Sequence, residues 1–202
     1  MDADELDLAI ETLGPARFAS PLPWEFWVPE GEQVVYETSP ERLECQIREG
    51  RAVPALDKAG PRERLFFDPA RVSAGIVTCG GLCPGLNDVI RAIVIGLSRS
   101  YGVQRILGFR YGYEGLVDRI GHAPLELTSE SVDDIHQHGG TILGSSRGPQ
   151  EPAEMVDCLV ARKIDLLFTI GGDGTQRGAQ AIADEVNKIG RASCRERVCS
   201  TV

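Results

Sequence analysis

The stretch Ile164-Asp165-Leu166-Leu167-Phe168-Thr169-Ile170-Gly171-Gly172-Asp173-Gly174-Thr175 decides the fold. A nearly continuous apolar run of this length, ending in glycines, reads as a strand buried on both faces, because a half-exposed strand would alternate. Gly171 to Gly174 form a turn, and Thr175 to Lys188 read as a helix. The same order recurs upstream. Ala74-Gly75-Ile76-Val77-Thr78 is a short apolar strand, Cys79 to Leu86 a glycine-rich turn, and Asn87 to Leu97 a helix with Asn87 available as N-cap. Gln104 to Phe109 reads as the next strand. Ser129 to His138 reads as a helix capped by Thr128 or Ser129 and ended by Gly139-Gly140, and Pro152 opens another that runs to about Arg162. Strands alternating with helices at this spacing predict an α/β fold with a doubly wound, Rossmann-like parallel sheet. Ligands of such sheets sit at the carboxyl ends of the strands.

Around this core the pattern changes. Residues 1–67 are punctuated by Pro15, Pro21, Pro23, Pro29, Pro40, Pro54 and Pro61, which leave little room for long helices or interior strands. They are expected to form an irregular N-terminal arm, with Gln33 to Thr38 as an edge strand. Both tryptophans fall in Pro23-Trp24-Glu25-Phe26-Trp27-Val28-Pro29, a segment expected to dock on the following domain or on another subunit. Residues 68–190 form the α/β domain, which reads as truncated. Residues 191–202 hold three Arg, one Glu and two of the six cysteines, and begin where another buried strand is due. They are expected to be foreign to the fold, a cloning scar or a frameshift, with a native basic C-terminus as the alternative.

The composition limits the function classes. At 202 residues, 42% hydrophobic and 25% charged, the chain has the makeup of a soluble globular protein, and its apolar runs are too short to span a bilayer. Its acidic start is unlike a secretory signal, so a cytoplasmic location is expected. The net charge of −9 opposes a nonspecific role on nucleic acid, so any phosphate site must be local. The scattered cysteines read as reduced thiols.

Three segments carry chemistry. The first, Cys79-Gly80-Gly81-Leu82-Cys83-Pro84-Gly85-Leu86-Asn87, lets backbone approach a phosphate ahead of a helix N-terminus. Leu86 and Asn87 stand where a Walker A loop has Lys and Ser/Thr, and the G-x-G-x-x-G pattern is absent as well. The second, Gly171-Gly172-Asp173-Gly174-Thr175, sets one carboxylate among exposed N–H groups and suits a magnesium ion bridging phosphate oxygens. The third, Gly139 to Pro149, offers Arg147 as a local positive charge. His122, His136 and His138 lack partners at metal-ligand spacing, Cys79 and Cys83 read as small buried thiols, and Tyr111-Gly112-Tyr113-Glu114-Gly115 is a glycine-rich turn to which no role is assigned.

Together, Ile76 to Arg91, Gly139 to Gly148 and Ile170 to Gln176 resemble the phosphofructokinases, in particular the group of plant ATP-dependent and related bacterial ATP- or pyrophosphate-dependent enzymes. The resemblance covers residues 65 to 190 and makes residues 68–190 a nucleotide-binding domain. It implies transfer of the γ-phosphoryl of ATP to the 1-hydroxyl of D-fructose 6-phosphate, giving fructose 1,6-bisphosphate in glycolysis. It also implies Mg2+, a homodimer or homotetramer, and allosteric control, and the Tyr111 to Gly115 turn resembles a family loop near the active site or effector region. Gly80 and Gly81 resemble the backbone contact to the nucleotide phosphates, and Arg147 and Gly148 the nucleotide-contacting pair. Gly172, Asp173, Gly174 and Thr175 resemble the phosphate and magnesium loop, with Asp173 at the metal. Gly174 resembles the donor-selecting position, where Asp goes with pyrophosphate and Gly admits ATP.

The family's Thr-Ile-Asp-Asn-Asp segment, which supplies the general base, does not occur in these 202 residues, so the chain as written is expected to be catalytically incompetent. Two other readings stay open. One is a kinase of the NAD or lipid type, which shares the Gly-Gly-Asp-Gly-Thr loop but not the Cys79 to Asn87 loop. The other is a non-catalytic nucleotide-binding or regulatory subunit.

Overall fold

A computed structural model of the chain describes residues 13–23, 25–192 and 199–201. It divides into two compact units, Met1–Phe67 and Asp68–Val202.

Short regular elements do form in the proline-punctuated first unit. Strand β1 (Phe18–Ala19) pairs antiparallel with β4 (Arg64–Leu65), and β2 (Gln33–Val35) with β3 (Ala55–Asp57). Helix α1 (Pro40–Arg48) lies between β2 and β3 in sequence and starts at a proline, whose missing N–H would be unpaired there anyway. The Arg62 guanidinium donates to the carbonyls of Val28 (3.0 Å) and Lys58 (2.7 Å), which ties the segment around Val28 to the one around Arg62. In the aromatic segment, Phe26 is exposed and Trp27 half-buried, while Trp24 lies outside the described residues.

The second unit is a five-stranded sheet in the order β7-β6-β5-β8-β9. Its strands are β5 (Ser73–Thr78), β6 (Arg105–Phe109), β7 (Leu125–Glu126), β8 (Leu166–Ile170) and β9 (Cys199–Thr201). All pairings are parallel except that of β7 with β6. Helix α2 (Leu86–Ile95) joins β5 to β6, while α3 (Pro152–Ala161) leads into β8 and α4 (Asp173–Ala192) follows it. Because β6 and β8 flank β5 on opposite sides, right-handed crossovers place α2 and α3 on opposite faces of the sheet. Side chains alternate accordingly. Val77, Leu107, Phe109 and Leu167 join Met155, Leu159, Ile182 and Val186 in one cluster, while Ile76 and Ile106, a residue out of step with them, are buried outside it. The chain turns in opposite directions after β5 and β8, so the gap between their carboxyl ends is the topological switch point, where a ligand is expected. Among the described residues no helix is long and apolar enough to cross a membrane.

Three local expectations need correction. No helix forms over residues 129–138, where only a 3-10 turn, Ile135–Gln137, appears. The backbone bonds of this segment close tighter three-residue turns, Asp133 N–H to the Glu130 carbonyl (3.3 Å) and Gln137 N–H to that of Asp134 (2.9 Å), while Arg91 Nε donates to the carbonyl of Asp133 (3.1 Å) and Asn87 Nδ2 to that of His138 (2.9 Å). Asn87 is not the N-cap of α2. Gly85, at φ +90°, holds that place, and Asn87 is buried in the first turn. The third correction is that Asp173 belongs to the first turn of α4 and not to a turn preceding it.

Candidate functional site

Strand β5 leaves the sheet into Gly80, whose φ of +83° is a left-handed conformation that side-chain-bearing residues rarely adopt. The Cys79 N–H donates to the Ile170 carbonyl at 2.9 Å, so the loops after β5 and β8 start side by side. The loop that carries Arg147 is cross-linked to the first in both directions. Gly80 N–H donates to the Ser146 carbonyl (3.1 Å), and Ser145 Oγ donates to the Gly80 carbonyl (2.6 Å). Thr78, fully buried at the end of β5, donates its hydroxyl to the Gly144 carbonyl at 2.7 Å.

The glycines of the loop after β8 serve different purposes. A Cβ on Gly171 would overlap the Thr175 hydroxyl and crowd the Cys79 carbonyl at 2.6 Å, so this residue is small for packing. At Gly172 and Gly174 a Cβ would meet no protein atom within 4 Å. Packing against the rest of the chain therefore does not explain these two glycines, which leave the space beside the loop open. The Gly172 carbonyl accepts the N–H groups of Thr175 (2.8 Å) and Gln176 (3.1 Å). The N–H groups of Asp173 and Gly174 therefore stand at the positive end of the α4 dipole with no acceptor inside the helix.

One cavity of about 840 Å³ is lined by all eight residues singled out in the sequence: Gly80, Gly81, Arg147, Gly148, Gly172, Asp173, Gly174 and Thr175. That volume falls within the usual range for small-molecule sites. Thr175 is buried, while Arg147 and Asp173 are exposed to the cavity. The Arg147 guanidinium lies over Gly81, where a Cβ would sit 3.6 Å from Nη2. A second cavity of about 500 Å³ shares Gly80, Gly81, Ser146 and Arg147 as its wall.

The sequence reading missed Arg177, an exposed cavity residue one helical turn beyond Asp173. Its i+4 spacing from Asp173 on α4 was the signal that could have found it. Among the described residues neither Arg147 nor Arg177 is engaged in an ion pair, so both charges are available to an anion. Tyr113, in the glycine-rich turn left without a role, lines the same cavity and donates its hydroxyl to the Thr175 carbonyl at 2.6 Å. Burial, with a smaller contribution from Cys79, pushes the Tyr113 phenol above its ordinary range. Burial also pushes the Cys79 thiol up to about 11. The expectation for Cys83 is corrected: its loop residue is exposed, unlike buried Cys79. Among the described residues no three His, Cys, Asp or Glu side chains gather into a metal cage.

Comparison with known proteins follows this geometry. The sequence profile described as Phosphofructokinase matches residues 73–195. The chain is 43% identical over 189 residues to the ATP-dependent 6-phosphofructokinase of Trypanosoma cruzi, covering 91% of this chain and 39% of that protein. It is 53% identical over 131 residues to ATP-dependent 6-phosphofructokinase 1 of Arabidopsis thaliana, covering 65% of this chain and 27% of the relative. The chain thus spans well under half the length of these relatives. Among solved structures, Pichia pastoris phosphofructokinase in the T-state superposes with a TM-score of 0.56 at 22% identity, covering 79% of this chain and 20% of that one. The pyrophosphate-dependent phosphofructokinase of Marinobacter aquaeolei superposes at 0.55 with 15% identity, covering 64% and 32% respectively. At such identities these two likenesses concern the fold alone.

Proposed function

The chain belongs to the phosphofructokinase family, and we propose that it is the donor-binding part of an ATP-dependent enzyme that phosphorylates the 1-hydroxyl of D-fructose 6-phosphate to fructose 1,6-bisphosphate. The observation that carries this reading is the pair Gly172 and Gly174, whose missing side chains leave open space beside Asp173, Arg147 and the start of α4. A phosphate chain fits that space. Gly80 and Gly81 admit it to the backbone, the free N–H groups of α4 face it, and Arg147 and Arg177 balance its charge.

The residues also fit Mg2+. Two exposed carboxylates, Asp173 and Glu151, line the cavity, and they are too few for a resident protein cage, with Asp173 alone lying in the glycine loop. Asp173 would hold an ion that arrives with the nucleotide, since its carboxylate supplies the oxygen ligands that suit a hard cation. When bound, Mg2+ neutralises charge on the transferring phosphoryl group. What this chain contributes is positioning and electrostatic stabilisation, the main requirements of phosphoryl transfer. The acceptor side and its general base are assigned to the part of the family's length that this chain does not span. A cytoplasmic, allosterically controlled homodimer or homotetramer completes the reading.

Titration of the chain with MgATP tests it. Micromolar binding is expected, weakened about tenfold or more by Asp173→Asn, which removes a charged partner. Gly174→Asp should fold normally, since its new side chain meets open space at a helix N-terminus that favours negative charge. It should disfavour MgATP relative to pyrophosphate. A parent chain that binds no MgATP overturns the proposal, and unchanged donor preference in the Gly174 variant overturns its assignment.

A further inference from the structure

The turn Tyr111-Gly112-Tyr113 follows β6 and carries no group with obvious chemistry, yet it touches all three chemistry-bearing loops. Tyr111 sits at φ +60°, an uncommon conformation for a non-glycine residue and the kind of local strain that surrounding contacts must hold in place. Both of its backbone groups are used. Its N–H donates to the Leu143 carbonyl at 2.8 Å, and its carbonyl accepts from Ser146 Oγ at 2.7 Å. Its ring covers Gly144, where a Cβ would sit 2.9 Å from Cδ1. Tyr111 therefore grips the segment that ends in Arg147.

The next two residues face the other loops. A Cβ on Gly112 would lie 3.1 Å from Cys79 Sγ and from the Thr78 carbonyl, so the turn is pressed against the start of the first loop. The Tyr113 ring fills the space where Gly178 of α4 lacks a side chain, and its buried hydroxyl reaches the Thr175 carbonyl. In an α-helix that carbonyl already has an acceptor role within the helix, so the tyrosine bond is additional and fixes the first turn of α4 in place.

We propose that Tyr111-Gly112-Tyr113 is a positioning element that sets the separation of the Gly80, Arg147 and Asp173 loops, with Tyr113 acting on the donor site through Thr175. The inference rests on the proposed nucleotide site and deepens it, since none of these three residues needs to carry charge or perform chemistry. A site built from three separate loops is useful only if their spacing is held to within a fraction of an ångström, which packing and buried hydrogen bonds accomplish.

The test uses calorimetric titration of the chain with MgATP. Tyr113→Phe keeps the ring against Gly178 and removes only the hydroxyl, so the thermal midpoint should move little while MgATP binds about fivefold more weakly. The loss should vanish when Asp173→Asn is already present, because Tyr113 acts through that loop and a merely structural loss would persist. Ser146→Ala, which cuts the tie to the Tyr111 carbonyl, should weaken binding to a similar degree, and this loss should vanish in an Arg147→Met background. Undiminished affinity in both variants, or losses of the same size in both backgrounds, overturns the inference while leaving the nucleotide site standing. A parent chain that fails to bind MgATP overturns the proposed function and this inference with it.

Discussion

Glycine is ambiguous in a sequence, and here the ambiguity is resolved atom by atom. Gly171, Gly172 and Gly174 look alike as letters, but Gly171 is small because Thr175 and Cys79 crowd it, whereas the other two face open cavity. The cysteines divide in the same way. Cys79 is buried with its thiol pushed up to about 11, which disfavours the reactive thiolate at pH 8. Cys83, four residues on, is exposed. Iodoacetamide at pH 8 should therefore modify Cys83 and leave Cys79 unmodified in the folded chain, as read by peptide mass spectrometry. Labelling of Cys79 at a comparable rate would contradict its burial. Nothing in the local sequence separates the two thiols, because exposure is set by neighbours remote in the chain.

At the scale of the element, β5, β8 and α3 were legible because their signals are local: continuous apolar runs for the strands, and a proline at the first helical position for α3. The segment 129–138 was not. Its composition permits a helix, but only Val132 and Ile135 within it are buried apolar anchors, and Asn87 and Arg91 on α2 tie its backbone at His138 and Asp133. The same side chain explains why Asn87 is unavailable as a cap. It accepts from the Ile142 N–H at 2.9 Å while donating to the His138 carbonyl, stapling the start of the Arg147 loop to α2. Asn87→Ala should leave both backbone groups without these partners and cost about 1–3 kcal/mol. Urea denaturation measures that loss, and amide exchange at Ile142 should speed up relative to the strands. A variant as stable as the parent would mean that the staple contributes nothing.

At the scale of the whole molecule, the sheet order brings together residues 80, 147 and 173, and no spacing rule yields that order on its own. The chain passes from β5 to β6 on one side and from β8 to β9 on the other, which makes the switch point, and the three loops converge there. Strand β9 occupies the position beyond β8 where a further strand was due, pairing Cys199–Thr201 with residues 166–168. Edge pairing is made by backbone groups and accepts almost any side chains, so this placement fits native and foreign residues equally. We hold to the proposal that residues 191–202 are foreign to the fold. Resequencing the source gene across the codons for residues 188–202 should yield different residues at 191–202, and recovery of the same tail would refute it. The sequence by itself determined the alternation of strands and helices and the residue types of the site, because hydrophobic period and backbone permissiveness are properties of neighbouring residues. Only the tertiary structure decided which glycines face the cavity, that Arg177 joins it, and that Tyr111 and Tyr113 brace its loops, because those facts depend on contacts between segments 30 to 60 residues apart.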